Sequence, residues 1–444
     1  MIGFLRKLWN DRRGNVLIIV GAALPLIVGA AGLATDTVQW TLTKRELQRA
    51  ADSAALAGVF GRLAGQTVTT DDCSKSTPIA HDETTGLVTS KIGSVTCTAT
   101  VDGWGTSTNK SVAVSMSTTQ TLPFSSLFLK TTPTLTATAT AAYVLYGKYC
   151  VISLDNTVDT GIQMSGTPTV NLGCGMKTDA KGSSAFDCTG ATKVTASPIA
   201  AVGAITACPS LGSGTTYQPY APPQTDPFLS VNAPSVPNSC NKDVFPNGTK
   251  TTSVSVTGTT TGWANNTPTT VCYTDFTVGS GQTFTGSDLL VIINKSKNGN
   301  SNGNFTINSG GTVNCIRCTF VLTSDSTSLT APIGTVSMDA SATLDITAPT
   351  VGTLYPNIAI YQDRRATCNN YCNTINGNSN STLQGAVYLP NEGVQMNGTA
   401  GMNSNCLQLV AWQVKFSGTA NITNSCSDGS TGHTFDGYMV RLVA

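Results

Sequence analysis

The longest apolar run of the chain extends from Val16 to Ala34 without a charge. At about 1.5 Å of rise per residue, a helix of this length approaches the roughly 30 Å hydrocarbon thickness of a bilayer. The pattern stays helical from Asp36 to about Ala64. Ala50, Ala51, Ala54, Ala55 and Ala57 are strong helix formers, and Trp40, Leu47 and Ala54 recur at heptad spacing. One helix over 15–64 is therefore expected to cross a membrane and project beyond it. Pro25 lies mid-span with Gly21 and Gly29 on its face, which suits either a kinked anchor or close approach of another helix.

Beyond this helix the period changes. Over 65–147, SVAVSMSTTQT alternates polar and apolar residues, PFSSLFL offers a helical turn and TPTLTATATAAYVLY resumes alternation, which predicts a small α+β module. From Cys150 onward the chain repeats itself. IQMSGTPTVNLGC (Ile162–Cys174), VQMNGTAGMNSNC (Val394–Cys406) and VKFSGTANITNSC (Val414–Cys426) align without gaps, and FTINSGGTVNC from Phe305 and SMDASATLDITAP from Ser337 are weaker copies. Each copy leads an apolar-polar-apolar strand into a glycine, Gly166, Gly398 or Gly418. The spacing of the last two strong copies fits one turn of a solenoid in which strands stack at about 4.8 Å. The expectation for 148–444 is a mainly-β domain, a right-handed parallel β-helix, with a β-sandwich or propeller as the alternative. Ile162, Met164, Val394, Met396, Val414 and Phe416 should then point inward at equivalent positions. Prolines crowd 209–237, which reads as an extended excursion over the surface.

Composition narrows the compartment. Only 11% of residues are charged and the net charge is +1, so a nucleic-acid partner is not expected. All fourteen cysteines follow the apolar run: Cys73, Cys97, Cys150, Cys174, Cys188, Cys208, Cys240, Cys272, Cys315, Cys318, Cys368, Cys372, Cys406 and Cys426. An even count suggests disulfides in an oxidising compartment. Metal is the weaker reading, because His81 and His433 are isolated. Cys73 with Cys97, Cys368 with Cys372 and Cys406 with Cys426 are candidate pairs. Cys315 and Cys318 read as a structural bridge or as partners of other cysteines, because strand-like flanks argue against a redox motif. Arg6, Lys7, Arg12 and Arg13 precede the apolar run and Asp36 is the first charge after it, which puts the basic segment 1–14 in the cytoplasm and the β-rich part across the membrane. A cleaved signal peptide would share this polarity, but the apolar run exceeds a usual signal core.

Parallel β-helices often cut polysaccharides, which makes the carboxylates of this region candidates for catalysis. Asp155, Asp159, Asp325, Asp339, Asp345 and Asp436 do not recur at one-turn spacing with a base, and they read as solvated turn residues. Arg364 and Arg365 read as an exposed basic spot. No enzyme activity, cofactor or metal is expected.

The segment RRGNVLIIVGAALPLIVGAAGLATDTVQWTLTKRELQRAADSAALAG (Arg12–Gly58) resembles the N-terminal domain of TadG-like proteins of Tad (Flp, tight-adherence) pilus assembly. The resemblance rests on Arg12, Arg13 and Gly14, the span containing Pro25, then Asp36, Trp40, Lys44, Leu47, Gln48, Ala51 and Asp52. It covers about the first sixty residues. TDPFLSVNAP, YPNIAIYQDRRAT and LQGAVYLPNEGVQMNG also look like the C-terminal region of many TadG-like proteins. The resemblance implies a membrane-anchored structural component of pilus assembly in the bacterial inner membrane. It would carry its C-terminal domain in the periplasm, with pilus proteins and cell-envelope glycan as partners. A surface adhesin or a carbohydrate-binding protein is the alternative. Processed pilins resemble one another in a Glu five residues past the cleaved glycine; Ile19 occupies that place after Gly14, which implies an unprocessed anchor.

Overall fold

The computed structural model describes residues 14–66, 68, 95–102, 110–127, 130–190, 192–246, 250–296, 301–350, 352, 354–368, 370–376, 378, 380–397, 402–404, 406–419, 421–424 and 434–443. The chain divides into two units, Met1–Val144 with Met439–Ala444, and Leu145–Tyr438.

The first unit is built on one continuous helix, α1 (Gly14–Leu63), which keeps Pro25 inside it. Three strands follow, β1 (Thr96–Val101), β2 (Ser111–Thr119) and β3 (Thr134–Ser153), paired antiparallel in the order β1-β2-β3. The inward residues of β2 and β3, among them Val112, Val114, Met116, Ala137 and Ala139, share one core with the second half of α1. The second half of the helix and the strands therefore share one core. After the second unit the C-terminal strand Phe435–Leu442 returns, and the Val443 N–H donates to Thr140 O.

The second unit is mostly β, with long stacks of parallel strands in a β-helix-like arrangement. One stack of short strands runs Phe276–Val278, Phe305–Ile307, Val336–Met338, Asn373–Ile375, Val394–Asn397, Val414–Ser417, Ile162–Met164, Phe186–Cys188. The three strong sequence copies are thus direct neighbours: Val394 pairs with Val414 and Val414 with Ile162, and Met396 with Phe416 and Phe416 with Met164. All six side chains are buried in the interior core. Gly166 and Gly418 occupy one turn at φ +86° and +72°, where a Cβ on Gly166 would lie 2.9 Å from Gly418 O. Gly398 and Cys426 lie outside the described residues.

Spatial order is not chain order. The early rungs stack on the late ones: β3 pairs with Leu407–Ala411, and Thr169–Asn171 with Asn421–Asn424. This explains the irregular spacing of the repeats, because strands 414 and 162 are neighbours only in space. It also requires the chain to travel back along the stack before it resumes at Ser253–Thr257. Ser210–Leu211 and Tyr217–Gln218 still pair within the stacks, and the proline-rich segment then makes the return as a strap over the outer face of a second stack. That stack includes Leu289–Asn294, Thr319–Thr323, Ile358–Gln362, Leu407–Ala411 and the end of β3. Its strands face the interior on one side and the strap on the other, so both sets of side chains are buried: LLVIIN reads as a near-continuous apolar run, and LQLVA buries Gln408 among apolar residues.

Candidate functional site

In the first unit the family-like residues of α1 divide by position. Gly14 opens the helix; Arg12 and Arg13 lie outside the described residues. From Ile19 to Leu33 the apolar side chains are largely exposed, Leu26 at 75% and Ile27 at 66%, and this helix is long and apolar enough to cross a membrane. Gly21 and Gly29 face open space; Gly32 carries the Phe124 ring, which a Cβ would strike. Pro25 and Ala34 stay within the bare part; Val16 lies in α1, ahead of the residues whose side chains are described. Asp36 is buried and accepts hydrogen bonds from both the backbone N–H and the hydroxyl of Ser125. Those two bonds tie the Pro123–Ser126 turn to the helix.

The second half of α1 carries the alanine run, whose role is closer to packing than to helix propensity. Leu47, Ala50, Ala51, Ala54, Ala55 and Val59 are fully buried at i, i+3, i+4, i+7, i+8 and i+12, a single helical stripe. Small side chains let the helix axis lie close to the sheet. Gly58 marks a close approach, since a Cβ there would meet Val112 at 3.0 Å. Gln48 donates from one amide nitrogen to Asp52 and to Thr138 O, which crosses from helix to β3. Thr43 donates to Gln120, Arg62 pairs with Asp102, and Trp40 is half buried while Lys44 is exposed.

In the second unit, bridges join neighbouring rungs at Cys150–Cys174 and Cys188–Cys208. Cys240–Cys272 ties the strap to the first rung, and Cys315–Cys318 and Cys368–Cys372 close local corners. Cys97 and Cys406 are also disulfide-bonded. Cys73, His81 and His433 lie outside the described residues.

The strap is held by groups that sequence reading passed over. Arg364 donates to Val231 O and Phe228 O and lies over the Tyr388 ring, and Arg365 pairs with Asp363. The expected exposed basic spot is therefore corrected: both guanidiniums are partly buried clamps. Tyr388 donates to Asp226, Tyr361 to Val231 O and Tyr355 to Asn232 O. Lys177, 1% exposed, donates to Pro222 O, and burial pushes its pKa down to about 8. Beside it Asp179 accepts from the Gln224 N–H, and burial pushes its carboxyl up to about 6. At the strap's end Asp243 accepts from the Thr277 N–H while Val244 and Phe245 enter the core. No short-range pattern marks Lys177 or Arg364, whose partners are dozens of residues away.

The acidic residues weighed for catalysis do not converge. Asp155, expected as a solvated turn residue, is instead buried and accepts from Thr157 and Gln413; Asp339 accepts from the Ser309 N–H, and Asp345 accepts from Thr382. Among the described residues no three His, Cys, Asp or Glu side chains are placed to hold a metal. One strand copy was missed from the sequence. FDCTG (Phe186–Gly190) repeats the inward residues at i and i+2 and the glycine at i+4, with Cys188 where the others have Met or Phe.

Residues 14–64 match the family described as "Putative Flp pilus-assembly TadE/G-like". No curated protein and no solved structure matches the chain.

Proposed function

With a TadE/G-like Flp pilus-assembly domain at residues 14–64 as its premise, we propose that this chain is a membrane-anchored scaffolding component of pilus assembly, structural and not catalytic. The basic residues before the apolar run favour a cytoplasmic N-terminus, and cysteines confined to the far side of the run favour an oxidising periplasm for the β-rich unit. That unit is read as a right-handed, disulfide-locked β-helix on an uncleaved anchor. The bare first half of α1, with Gly21 and Gly29 in open space, suits helix contacts with other assembly proteins in the bilayer.

The observation that carries this reading is the coincidence of the family match with the buried alanine stripe of α1. The matched residues build a stem whose one half is bare and whose other half is fixed to a sheet. Deletion of the gene, with complementation, is expected to abolish surface pili in electron micrographs; normal piliation defeats the proposal. Labelling with a membrane-impermeant maleimide tests the orientation. A cysteine introduced at Ser90 should react in spheroplasts, and one introduced at Gly3 only after lysis.

A further inference from the structure

One face of the second unit is left uncovered by the described residues and is almost free of charge. The strands Ser253–Thr257, Thr283–Ser287, Thr312–Ile316, Thr343–Thr347 and the start of Thr382–Leu389 stack in parallel register. Alternating burial sends Val254, Phe284, Val313, Leu344 and Leu383 inward and every second residue outward. The outward positions form straight columns. One runs Ser253, Thr283, Thr312, Thr343, and the next Ser255, Thr285, Asn314, Asp345, Thr382. The third column is likewise hydroxyl and amide apart from Ile316. Asp345 is the single charge, and it accepts from Thr382. The side chains of Thr283, Thr285, Thr312 and Asn314 have no hydrogen-bond partner among the described residues.

Three partner classes fit this face poorly. A nucleic acid needs lysine and arginine against its phosphates, and a bilayer surface needs apolar or cationic side chains. A protein interface usually centres on aromatic or arginine anchors, and this face has none. What the face offers is hydroxyl donors and acceptors at fixed intervals of about 4.8 Å along the stack, rigid because the strands that carry them are locked in register. An extended β-linked polysaccharide presents its own hydroxyls at a comparable repeat and carries no charge to be matched. We propose that this face binds a neutral, β-linked glycan lying along the stack, one sugar per rung. Without aromatic platforms each rung contributes weakly, so affinity must accumulate with length. The inference stands apart from the pilus reading, since it concerns a purified binding activity and not assembly.

The test is titration calorimetry of the detergent-solubilised full chain with β-1,4-linked N-acetylglucosamine oligomers, from the disaccharide to lengths exceeding the stacked rungs. Affinity should rise with each added sugar until the face is filled, and it should not fall as salt is raised. Thr285→Arg and Asn314→Arg, both outward, should weaken binding by roughly tenfold or more and leave the melting temperature near that of the parent. Thr306→Arg, on the neighbouring stack, should bind as the parent does and serves as the control for a general surface effect. Absence of binding at every length, preference for an acidic polysaccharide, or unchanged affinity in Thr285→Arg overturns the proposal.

Discussion

Two outer faces of the β-rich unit are made from the same kind of strand and have opposite fates. Where the strap crosses, the outward side chains are Tyr355, Tyr361, Tyr388, Ile292 and Val321, all nearly inaccessible and packed with Phe228 and Val231 of the strap. Where no described residue crosses, they are Ser, Thr and Asn apart from Asp345, Ile316 and Gln384. Within the interior the two regions are alike, with Phe276 and Phe284 and stacked Phe305 and Phe320 filling the core from rung to rung. The stack therefore needs its inward residues everywhere, whereas its outward residues record what covers them.

Substitutions should separate the faces in that order. The largest effect is expected from Tyr361→Ala, which removes a buried ring between Tyr355 and Tyr388 and the bond to Val231 O. A loss of about 3–5 kcal/mol is expected by analogy with aromatic truncations in cores, read by urea unfolding. A loss below about 1 kcal/mol would mean that the strap does not seal this face.

Next is the strap's covalent tie. Replacing Cys240 and Cys272 together by Ser opens a loop of sequence separation 32, with an expected cost of about 3–4 kcal/mol from loop entropy. Limited proteolysis should then cut within 219–239 first. Cleavage elsewhere at an equal rate would count against the strap as the weaker element.

A third effect is set by pH at the strap's start. The Asp179 carboxyl, pushed up to about 6 by burial, keeps its proton in the fold at pH values where the unfolded chain, titrating near 4, has lost it. Stability should therefore fall as pH rises from about 4 to about 6. Lys177, pushed down to about 8, gives up its proton in the fold before the unfolded chain does, so stability should rise between about 8 and 10. Asp179→Asn should remove the acidic limb and leave the alkaline one. Parallel pH profiles for parent and variant would show that Asp179 is not the group responsible.

The smallest effect is expected on the bare face. Thr285→Ala removes a hydroxyl with no partner in the described chain and should change stability by no more than about 0.5 kcal/mol. A larger loss in urea unfolding would show that this face is covered after all.

Much of this was legible in the sequence where the cause is local. The long apolar helix follows from an uncharged run, and the strands of the three strong copies follow from apolar residues two apart with a glycine four beyond the first. The FDCTG copy is harder to see because Pro198 stands where the strong copies have a cysteine eight residues past the glycine, and because Cys188 takes the second inward position while also forming a bridge. The alanine run was legible as helix but not as a packing surface, because the small residues matter only once Val112 and Ala139 lie opposite them.

The sequence by itself determined which residues form a helix and which alternate, because those preferences are decided by neighbours two to four positions away. Tertiary structure alone decided that Ile162 lies against Val414, that the proline-rich segment runs back along the stack, and that Arg364 and Lys177 hold it. Each of these joins groups far apart in the chain. Closing such a loop carries an entropy cost that only the assembled core and strap offset, so no short window of sequence contains the outcome.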